Sequence, residues 1–486
     1  MSDAIRKLKP KAVWNKFADL NAVPRPSKKE EKVIEFMMDF GKSLALETFK
    51  DDVGNVIIRK PASQGMDKRK TVTLQSHLDM VHQKNADTEF DFETQGIKMK
   101  ADGDWVKAEG TTLGADNGMG VAAIMAILES KDIVHPPLEA LFTIDEETGM
   151  TGAQGLEGGI LQGEILLNLD TEEDDELDIG CAGGIDITAT RSYNGKPVPR
   201  AVIPYEIKVK GLQGGHSGID IHRGLGNANK IMNRLLYHAS NNFMMRLAEI
   251  RGGGLRNAIP RESVAKIVVL KSQIEEFEAA IAKLADTIKG ELQTLEPELT
   301  ITCEQGSAPH MIMGLGAQER LIKGIYAAHN GVYAMSATIP DLVETSNNIA
   351  RVEVNDGTVL INCLTRSSVD SAKMDLANAL RSTFELARCE VRFAGQYPGW
   401  TPNPDSEILK IAEKKYKELF KEAPKVAACH AGLECGILGQ NYPDMDMVSF
   451  GPTINGAHSP DERVSIASVQ KFWKFLLAIL EDMPKK

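Results

Sequence analysis

Hydrophobic residues in the N-terminal third of the chain form strand-length runs that alternate with a helical segment. The run TVTLQSHLDMV (71–81) is apolar and rich in β-formers, becomes polar at its end, and is followed by similar runs at 139–144 and 164–169. Between the first two runs, apolar residues recur at helical spacing over 114–130, after an Asp-Asn pair suited to capping. This alternation predicts an α/β domain with a largely parallel sheet.

The pattern changes after residue 184. Alternating strands such as YEIKVKG (205–211) now separate long helices predicted at 228–239 and 273–292. The tripeptide Asn-Asp-Gly at 355–357 is a strong signal for the turn of a β-hairpin. The order of these elements predicts an α+β domain with two related lobes, which ends at the Pro/Gly-rich break 396–406.

The predicted fold is therefore α/β, with a catalytic domain (1–184 and 397–486) that has a mostly parallel sheet flanked by helices. An inserted α+β two-lobed lid domain (185–396) interrupts this catalytic domain. Two further helices, predicted at 407–421 and 468–480, complete the catalytic domain. A chain of 486 residues is long enough to form both domains.

Composition and charge narrow the classes of function. The chain has 56 basic and 68 acidic residues, a formal net charge of −12, and no Lys/Arg block, so we expect neither nucleic acid nor a membrane as a partner. The most apolar segment, 120–128, is about half as long as a membrane-spanning helix requires. The N-terminus lacks the pattern of a secretion signal, and the six cysteines contain no CxxC pair. A cytoplasmic location with free thiols is expected.

Histidine and acidic residues follow the predicted strands of the catalytic domain, at the sheet edge where ligands collect in open parallel sheets. Asp116 begins the intervening helix on the same edge, and His458 lies in the Gly-rich loop GPTINGAHSPDE. Imidazole and carboxylate donors suit zinc, or manganese and cobalt in its place. The residues that follow the strands are His77 and Asp79, then Asp145, Glu146 and Glu147, and finally Asp170.

Each of these features has an ordinary structural explanation when it stands alone. A His-x-Asp pair is usually only hydrogen-bonded, and three consecutive acids most often form a solvated turn. Three acids directly after an apolar strand repel one another, however, and a bound cation relieves that repulsion. Their combination with two histidines and with the glycines around Asp116 favours a metal site.

The same motifs carry a family resemblance. SHLDMV, GTTLGADNG, DEETGMTGA, LLNLDTEE and GAHSPDE resemble the motif set of the co-catalytic zinc exopeptidases, which include aminoacylases, carnosinases and bacterial tripeptidases. GGHSGIDIHRG, GGGLRNAIPRE, NCLTRSSVD and HAGLECG resemble one branch of that family, the bacterial aminoacyl-histidine dipeptidases. The resemblance spans essentially the whole chain, in order, with no departure at a metal-ligand position.

The resemblance implies two divalent metal ions, zinc in the first place, with cobalt or manganese as substitutes. Asp116 would bridge the two ions. His77 and Asp170 would complete one site, and Glu147 and His458 would complete the other. Two dications and three carboxylates leave a net charge of about +1, which favours ionisation of a bridging water near neutral pH.

Two further residues next to the metals have implied catalytic roles. Asp79 would hydrogen-bond the far nitrogen of His77 and so fix its tautomer. Glu146 would be the general base, which takes a proton from the bridging water and delivers it to the leaving amine. The family also implies a cis peptide bond after Asp116.

The lid is implied to bind the substrate. His216 resembles the donor that stabilises the oxyanion of the tetrahedral intermediate. Asn257 and Arg366 resemble the residues that hold the substrate's backbone and terminal carboxylate, and a guanidinium fork suits the latter task. Gly432 would line the pocket with Glu434 and allow close approach of the substrate backbone. The alternatives are an ordinary loop histidine for His216 and a surface ion pair for Arg366.

The function expected from these features is hydrolysis of the peptide bond of unblocked dipeptides, including Xaa-His and β-alanyl-histidine, by a metallo-dipeptidase. One alternative is an amidohydrolase that acts on N-acyl amino acids with the same metal centre. The other is a non-catalytic, metal-dependent binding protein. A homodimer is possible, and the preferred dipeptides, the physiological metal and the state of the lid stay open at this point.

Overall fold

The computed structural model describes residues 2–486, and their side chains from residue 4 onward. The chain divides into two compact units. Unit 1 comprises the chain up to Gly180, Pro402–Ala428 and Leu433–Lys486, and unit 2 comprises Cys181–Thr401 and Cys429–Gly432. The chain passes from unit 1 to unit 2 and back within a few residues of the predicted domain junctions. The short segment 429–432 also belongs to unit 2.

An eight-stranded sheet forms the centre of unit 1. Its four central strands run parallel to one another, whereas the two strands at the first edge and the pair of Asp446–Ser449 with Glu176–Cys181 are antiparallel. Three of the four parallel strands are buried along their whole length. In spatial order the strands are Glu47–Lys50, Val56–Lys60, Leu138–Thr143, Val72–His77, Ile165–Asn168, Asp446–Ser449, Glu176–Cys181 and Lys425–Cys429.

Helices and a small second sheet surround this sheet. The helix Ala115–Glu129 packs against the strand Val72–His77 and the helix Lys11–Leu20, and every residue from Asn117 to Leu128 is buried. It therefore has no solvent face. The other helices are Ser2–Ile5, Glu31–Ser43, Glu146–Gly149, Thr151–Gly155, Glu407–Phe420, Glu434–Asn441 and Ile466–Glu481. The small sheet contains Ile454–Asn455, Arg463–Ser465, Trp105–Ala108 and Met99–Asp102.

Unit 2 contains a nine-stranded antiparallel sheet. The two predicted lobes are two halves of this one sheet, joined where Met245–Gly253 pairs with Val343–Asn355. In spatial order the strands are Thr300–Gln305, Val202–Lys210, Ser263–Leu270, Met245–Gly253, Val343–Asn355, Thr358–Ser367, Gly183–Ser192 and Glu390–Tyr397, with Gly331–Met335 beside Val343–Asn355. A separate two-stranded ladder joins Gly215–His216 to Ala258–Ile259.

The helices of unit 2 share a hydrophobic core with this sheet. They are Ala228–Asn242, Ile274–Leu292, Leu315–Ala327 and Asp370–Leu386, together with the 3-10 turns Ile221–Arg223 and Lys271–Gln273. The predicted hairpin turn is present, because Asp356 and Gly357 have φ angles of 45° and 80° and connect paired strands. Positive φ at both turn positions matches the twist of a two-residue hairpin.

In the part of the chain that the structure describes, no helix is both long and apolar enough to cross a membrane. In the described part of the chain the six cysteines form no disulfide, and Cys181, Cys363, Cys389 and Cys435 are buried.

Candidate metal centre

The structure brings together five of the residues singled out in the sequence, all in unit 1. They come from the carboxyl edge of the parallel strands and from two loops. His77 ends the strand Val72–His77, Asp170 follows Ile165–Asn168, and Asp116 lies in the first turn of Ala115–Glu129. Glu147 lies in the short helix after Leu138–Thr143, and His458 lies in the loop between Ile454–Asn455 and Arg463–Ser465.

The five side chains form two groups that share Asp116. In the first group, His77 Nε2 lies 3.2 Å from Asp116 Oδ1 and 3.5 Å from Asp170 Oδ1. In the second group, His458 Nε2 lies 3.1 Å from Asp116 Oδ2 and 3.0 Å from Glu147 Oε2. Within each group the potential ligand atoms all lie within 4.8 Å of one another. The two oxygens of Asp116 therefore face two different groups, as a bridging carboxylate does.

The electrostatics of this cluster attract positive charge. Burial lowers the pKa of His77, but the carboxylates of Asp170, Asp116 and Asp79 outweigh this and raise it well above its usual value. Hydrogen bonds to Asp116 and Glu147 raise the pKa of His458 to about 11. Imidazole nitrogens and carboxylate oxygens in such groups form the donor set that zinc prefers. The residues present therefore fit a pair of divalent ions.

Asp79 links His77 to the acidic helix beside it. His77 Nδ1 lies 3.2 Å from the carbonyl oxygen of Asp79 and 3.3 Å from its Oδ1, so the two ring nitrogens face Asp79 and the cluster respectively. The Asp79 carboxylate also accepts hydrogen bonds from Ser27 Oγ at 2.7 Å and from the backbone N–H groups of Glu146 and Glu147 at 3.0 and 3.3 Å. One buried carboxylate thus orients the histidine ring and the start of the Glu146–Gly149 helix.

Glu146 lies beside the cluster. Its Oε2 is 4.0 Å from His77 Nε2, and only 12% of the side chain is exposed. Burial raises the pKa of Glu146 well above its usual value, and the charges of Asp170, Glu147 and Glu434 add to this effect, against the opposing charge of His77. A carboxylate whose pKa is raised is a better proton acceptor near neutral pH than an exposed one. Glu146 also forms a third set of possible metal ligands with His77 and Glu147. Another such set, which is entirely acidic, contains Glu30, Asp79 and Asp145.

Two residues that the sequence analysis missed hold the loops of the cluster. Arg25 is buried, and its guanidinium donates to the carbonyl oxygens of Leu78, Asp79 and Gly114 at 3.0, 3.1 and 2.6 Å. Asn117 Nδ2 donates to Asp170 Oδ1. The peptide bond between Asp116 and Asn117 is cis, as the resemblance implied. No sequence motif marks Arg25, because its partners are mostly backbone carbonyls.

A chain of hydrogen bonds between buried polar side chains runs across the central strands that carry the cluster. Glu434 Oε2 accepts from Gln75 Nε2 and Thr143 Oγ1, both at 2.6 Å. Asn168 joins Gln75 to Ser449. From there the chain continues through Thr171 to Asp178. These bonds tie together the strands that position the cluster.

Asp178 ends this chain of hydrogen bonds. Thr171 Oγ1 donates to Asp178 Oδ2 at 2.8 Å and lies 2.8 Å from Ser449 Oγ, which donates to Asn168 Oδ1. Burial raises the pKa of Asp178 to about 7, against the opposing effect of the hydrogen bond from Thr171.

We expect Asp178→Asn to make protein stability less dependent on pH. Because the folded-state pKa of Asp178 lies above the unfolded value, its contribution is complete below about pH 4 and is lost as the pH rises through about 7. The variant should match the wild-type protein near pH 4 and exceed it by roughly 3–4 kcal/mol at pH 8. Denaturant unfolding at both pH values, with the exposed Asp175→Asn as control, measures this difference. A difference that does not change with pH would contradict it.

The remaining site residues of the sequence analysis lie in unit 2. A Cβ atom added at Gly218 would lie 3.2 Å from both Arg366 Nε and His216 Cε1, and 2.1 Å from the carbonyl oxygen of His430. His216, Arg366 and His430 therefore surround Gly218. Asn257 is exposed and Gly432 is partly buried, and the backbone oxygen of Asn257 accepts from Ser217 N.

Arg366 is not a surface residue. It is 5% exposed, and its Nη1 donates to Tyr397 Oη at 2.8 Å. His430 Nε2 and Ser346 Oγ are 2.8 Å apart, and burial, together with the charges of Arg366 and His216, lowers the pKa of His430 to about 3. A buried guanidinium next to neutral hydrogen-bonding groups can bind an anion. Among the described residues Arg366 forms no salt bridge, although its charge, with that of Arg256, opposes the effect of burial on the pKa of Asp186.

Comparison with known proteins places this chain in a family of metal-dependent peptidases. The model of peptidase family M20/M25/M40 matches residues 73–482, and the chain belongs to this family. It is 42% identical over 482 residues to the cytosol non-specific dipeptidase of Escherichia coli strain K12, with 99% of each chain covered. The family resemblance of the sequence motifs is thereby confirmed.

Solved structures agree with this assignment. The crystal structure of aminoacylhistidine dipeptidase from Vibrio alginolyticus matches with a TM-score of 0.94 and 43% identity, and the match covers 100% of both chains. The predicted α/β fold class is confirmed by this match. Aminopeptidase PepT from Bacillus cereus matches with a TM-score of 0.57 at 15% identity over 98% of each chain, which shows a common fold alone.

Proposed function

We propose that this protein is a metallo-dipeptidase that hydrolyses the peptide bond of unblocked dipeptides. The observation that carries the proposal is the position of Asp116, whose two carboxylate oxygens face two histidine-containing groups. The similar proteins from Escherichia coli and Vibrio alginolyticus are named as dipeptidases and cover nearly the whole chain. Xaa-His and β-alanyl-histidine are among the dipeptides we expect it to cleave.

The proposed metal ligands follow the two groups of side chains. His77, Asp116 and Asp170 would hold one divalent ion, and Asp116, Glu147 and His458 would hold the other. Zinc suits this donor set best, and cobalt or manganese can replace it. Bound divalent ions supply Lewis acidity, which polarises the scissile carbonyl group and lowers the pKa of the attacking water.

Glu146 is the proposed proton carrier. Its carboxylate lies next to the cluster, and its raised pKa suits a group that takes a proton from the attacking water and gives it to the leaving amine. Asp79 accepts the Nδ1 proton of His77, which leaves Nε2 free to act as a ligand. Catalysis thus needs Glu146 for proton transfer and Asp79 for the orientation of His77.

Residues of unit 2 are proposed to bind the substrate. Arg366 binds the terminal carboxylate through its guanidinium fork, and Asn257 holds the substrate backbone. His216 donates a hydrogen bond to the oxyanion, and Gly432 leaves room for the substrate backbone. The surplus of carboxylates around the cluster favours a free amine at the other end of the substrate. Recognition of both ends would restrict the enzyme to dipeptides.

We expect Arg366→Lys to raise KM for free dipeptides by at least about tenfold, because an ammonium group cannot replace a bidentate guanidinium. The wild-type enzyme should prefer a free dipeptide to the same dipeptide with a C-terminal carboxamide, and the variant should lose most of that preference. Steady-state kinetics on both substrates measures the effect, with the exposed Arg392→Lys as control. An unchanged preference in Arg366→Lys would contradict the assignment.

A substrate panel distinguishes this function from its two alternatives. Chelator-treated enzyme, restored with zinc, manganese or cobalt, is incubated with free dipeptides, tripeptides and N-acetyl amino acids. The proposal predicts amino-acid release from free dipeptides only. Faster turnover of acetylated substrates would favour the N-acyl amino acid amidohydrolase, and no turnover at any metal loading would favour the binding protein.

We further propose a cytoplasmic location, which suits the cysteines of the described residues, since they form no disulfide, and the name of the Escherichia coli relative. Homodimer formation stays a prediction, and size-exclusion chromatography with light scattering would test it.

A further inference from the structure

A single buried carboxylate holds the backbone that carries Asp116. Glu462 is 2% exposed. Its Oε2 accepts from Leu113 N at 2.6 Å and from Gly114 N at 2.9 Å. Its Oε1 accepts from Ala115 N at 2.7 Å and from Asp116 N at 3.3 Å. Four consecutive backbone N–H groups thus converge on one side chain.

The N–H groups of Leu113 and Gly114 precede the helix Ala115–Glu129, and those of Ala115 and Asp116 open it, where Asp116 and Asn117 depart from helical φ/ψ angles. The first N–H groups of a helix have no acceptor within the helix and carry partial positive charge. The N-cap residue Gly114 has no side chain that could accept a hydrogen bond. Glu462, 346 residues away from Asp116, supplies the missing acceptors. The orientation of the Asp116 backbone therefore depends on the side chain of Glu462.

Glu462 also ends the turn that carries His458. Ser459 N donates to Gly456 O at 3.2 Å, and Glu462 N donates to Ser459 O at 3.1 Å, so the turn is closed by its own hydrogen bonds. The strand Arg463–Ser465 follows directly and pairs with Trp105–Ala108. Although the His458 side chain is 56% exposed, its backbone is held at both ends of the turn.

We infer that Glu462 is a positioning residue of the metal centre. Asp116 and His458 belong to the same proposed ligand group, but they lie on two loops that are distant in the chain. Glu462 is part of one loop and binds the backbone of the other, so it sets the separation of 3.1 Å between His458 Nε2 and Asp116 Oδ2. This inference rests on the proposed function, because it concerns the affinity of that site for metal ions.

Glu462→Gln tests the inference with little change in size. The amide has one acceptor oxygen in place of two, and its NH2 group faces two backbone donors, so half of the four hydrogen bonds are lost. We expect zinc affinity to fall about 10- to 100-fold, the range seen when groups that orient ligands are removed. Bound Co²⁺ should also give a changed visible absorption spectrum, which reports the ligand geometry independently of activity.

Metal affinity is measured by competition with a chromophoric chelator, at a temperature where circular dichroism shows the variant to be folded. Asp461→Asn, one residue earlier and exposed, is the matched control and should bind zinc like the wild type. A folded Glu462→Gln with wild-type affinity and cobalt spectrum would overturn the inference, since Glu462 would then only cap a helix. Failure of the wild-type protein to bind two ions would overturn the proposed function as well.

Should Glu462→Gln fail to fold, Glu462→Asp decides the question. This variant keeps the carboxylate but is one methylene shorter, so it reaches the four N–H groups only if one loop moves. Zinc affinity reduced several-fold, with a shifted cobalt spectrum, would support the inference. Wild-type affinity and spectrum in Glu462→Asp would overturn it.

Discussion

Replacing Glu146 with Gln is expected to lower kcat for dipeptide hydrolysis by about 10²- to 10⁴-fold, the usual contribution of a general acid–base residue. Bound metal should remain at the wild-type level, because Glu146 is outside the two groups that share Asp116. Gln keeps the size of the side chain and one acceptor oxygen, but it cannot take up a proton. The loss should therefore appear in kcat, with little change in KM.

Steady-state kinetics on a free dipeptide measures kcat and KM, and elemental analysis of the purified protein measures the bound metal. Glu157→Gln is a suitable control, because Glu157 is an exposed acid of the same unit. Undiminished kcat in Glu146→Gln would refute the general-base assignment. Loss of metal in this variant would instead make Glu146 a ligand.

Asp116→Asn is expected to weaken both proposed metal sites at once. One oxygen of Asp116 faces His77 and the other faces His458, so loss of the negative charge affects both groups. Activity should fall at least about 100-fold, because Lewis-acid catalysis contributes several kcal/mol. In contrast, Asp170→Asn alters only the group that contains His77, so it should weaken one site and spare the other.

Zinc titration of the metal-free variants by isothermal calorimetry distinguishes these outcomes. The account predicts two high-affinity sites in the wild type, one in Asp170→Asn and none in Asp116→Asn. Two independent, unweakened sites in Asp116→Asn would show that Asp116 does not bridge the ions.

Much of the cluster could be predicted from the sequence because its residues follow the ends of parallel strands. His77 and Asp170 come after apolar runs whose strand character the sequence makes clear, and such strands end at one edge of a sheet. Asp116 and His458 were candidates from their positions in the sequence, but the family motifs were needed to assign them to two metal sites. Distances between side chains such as His458 and Asp116 depend on loop positions that no local pattern specifies.

The supporting residues could not be predicted, for a physical reason. Arg25 and Glu462 act on backbone carbonyl and N–H groups, which every residue offers, so their partners leave no trace in the sequence. Gln75 and Asn168 lie within apolar strands and pair only because those strands are neighbours in the sheet. Strand order also decides that the first two pairs at one edge of the sheet are antiparallel, where the pattern indicated a mostly parallel sheet.

The most direct test of the central claim is the release of amino acids from a free Xaa-His dipeptide by chelator-treated protein, measured as zinc is added back. The account predicts no release without metal, and activity that rises until two ions are bound per chain. Full hydrolysis by the metal-free protein, or none at any metal loading, would contradict it.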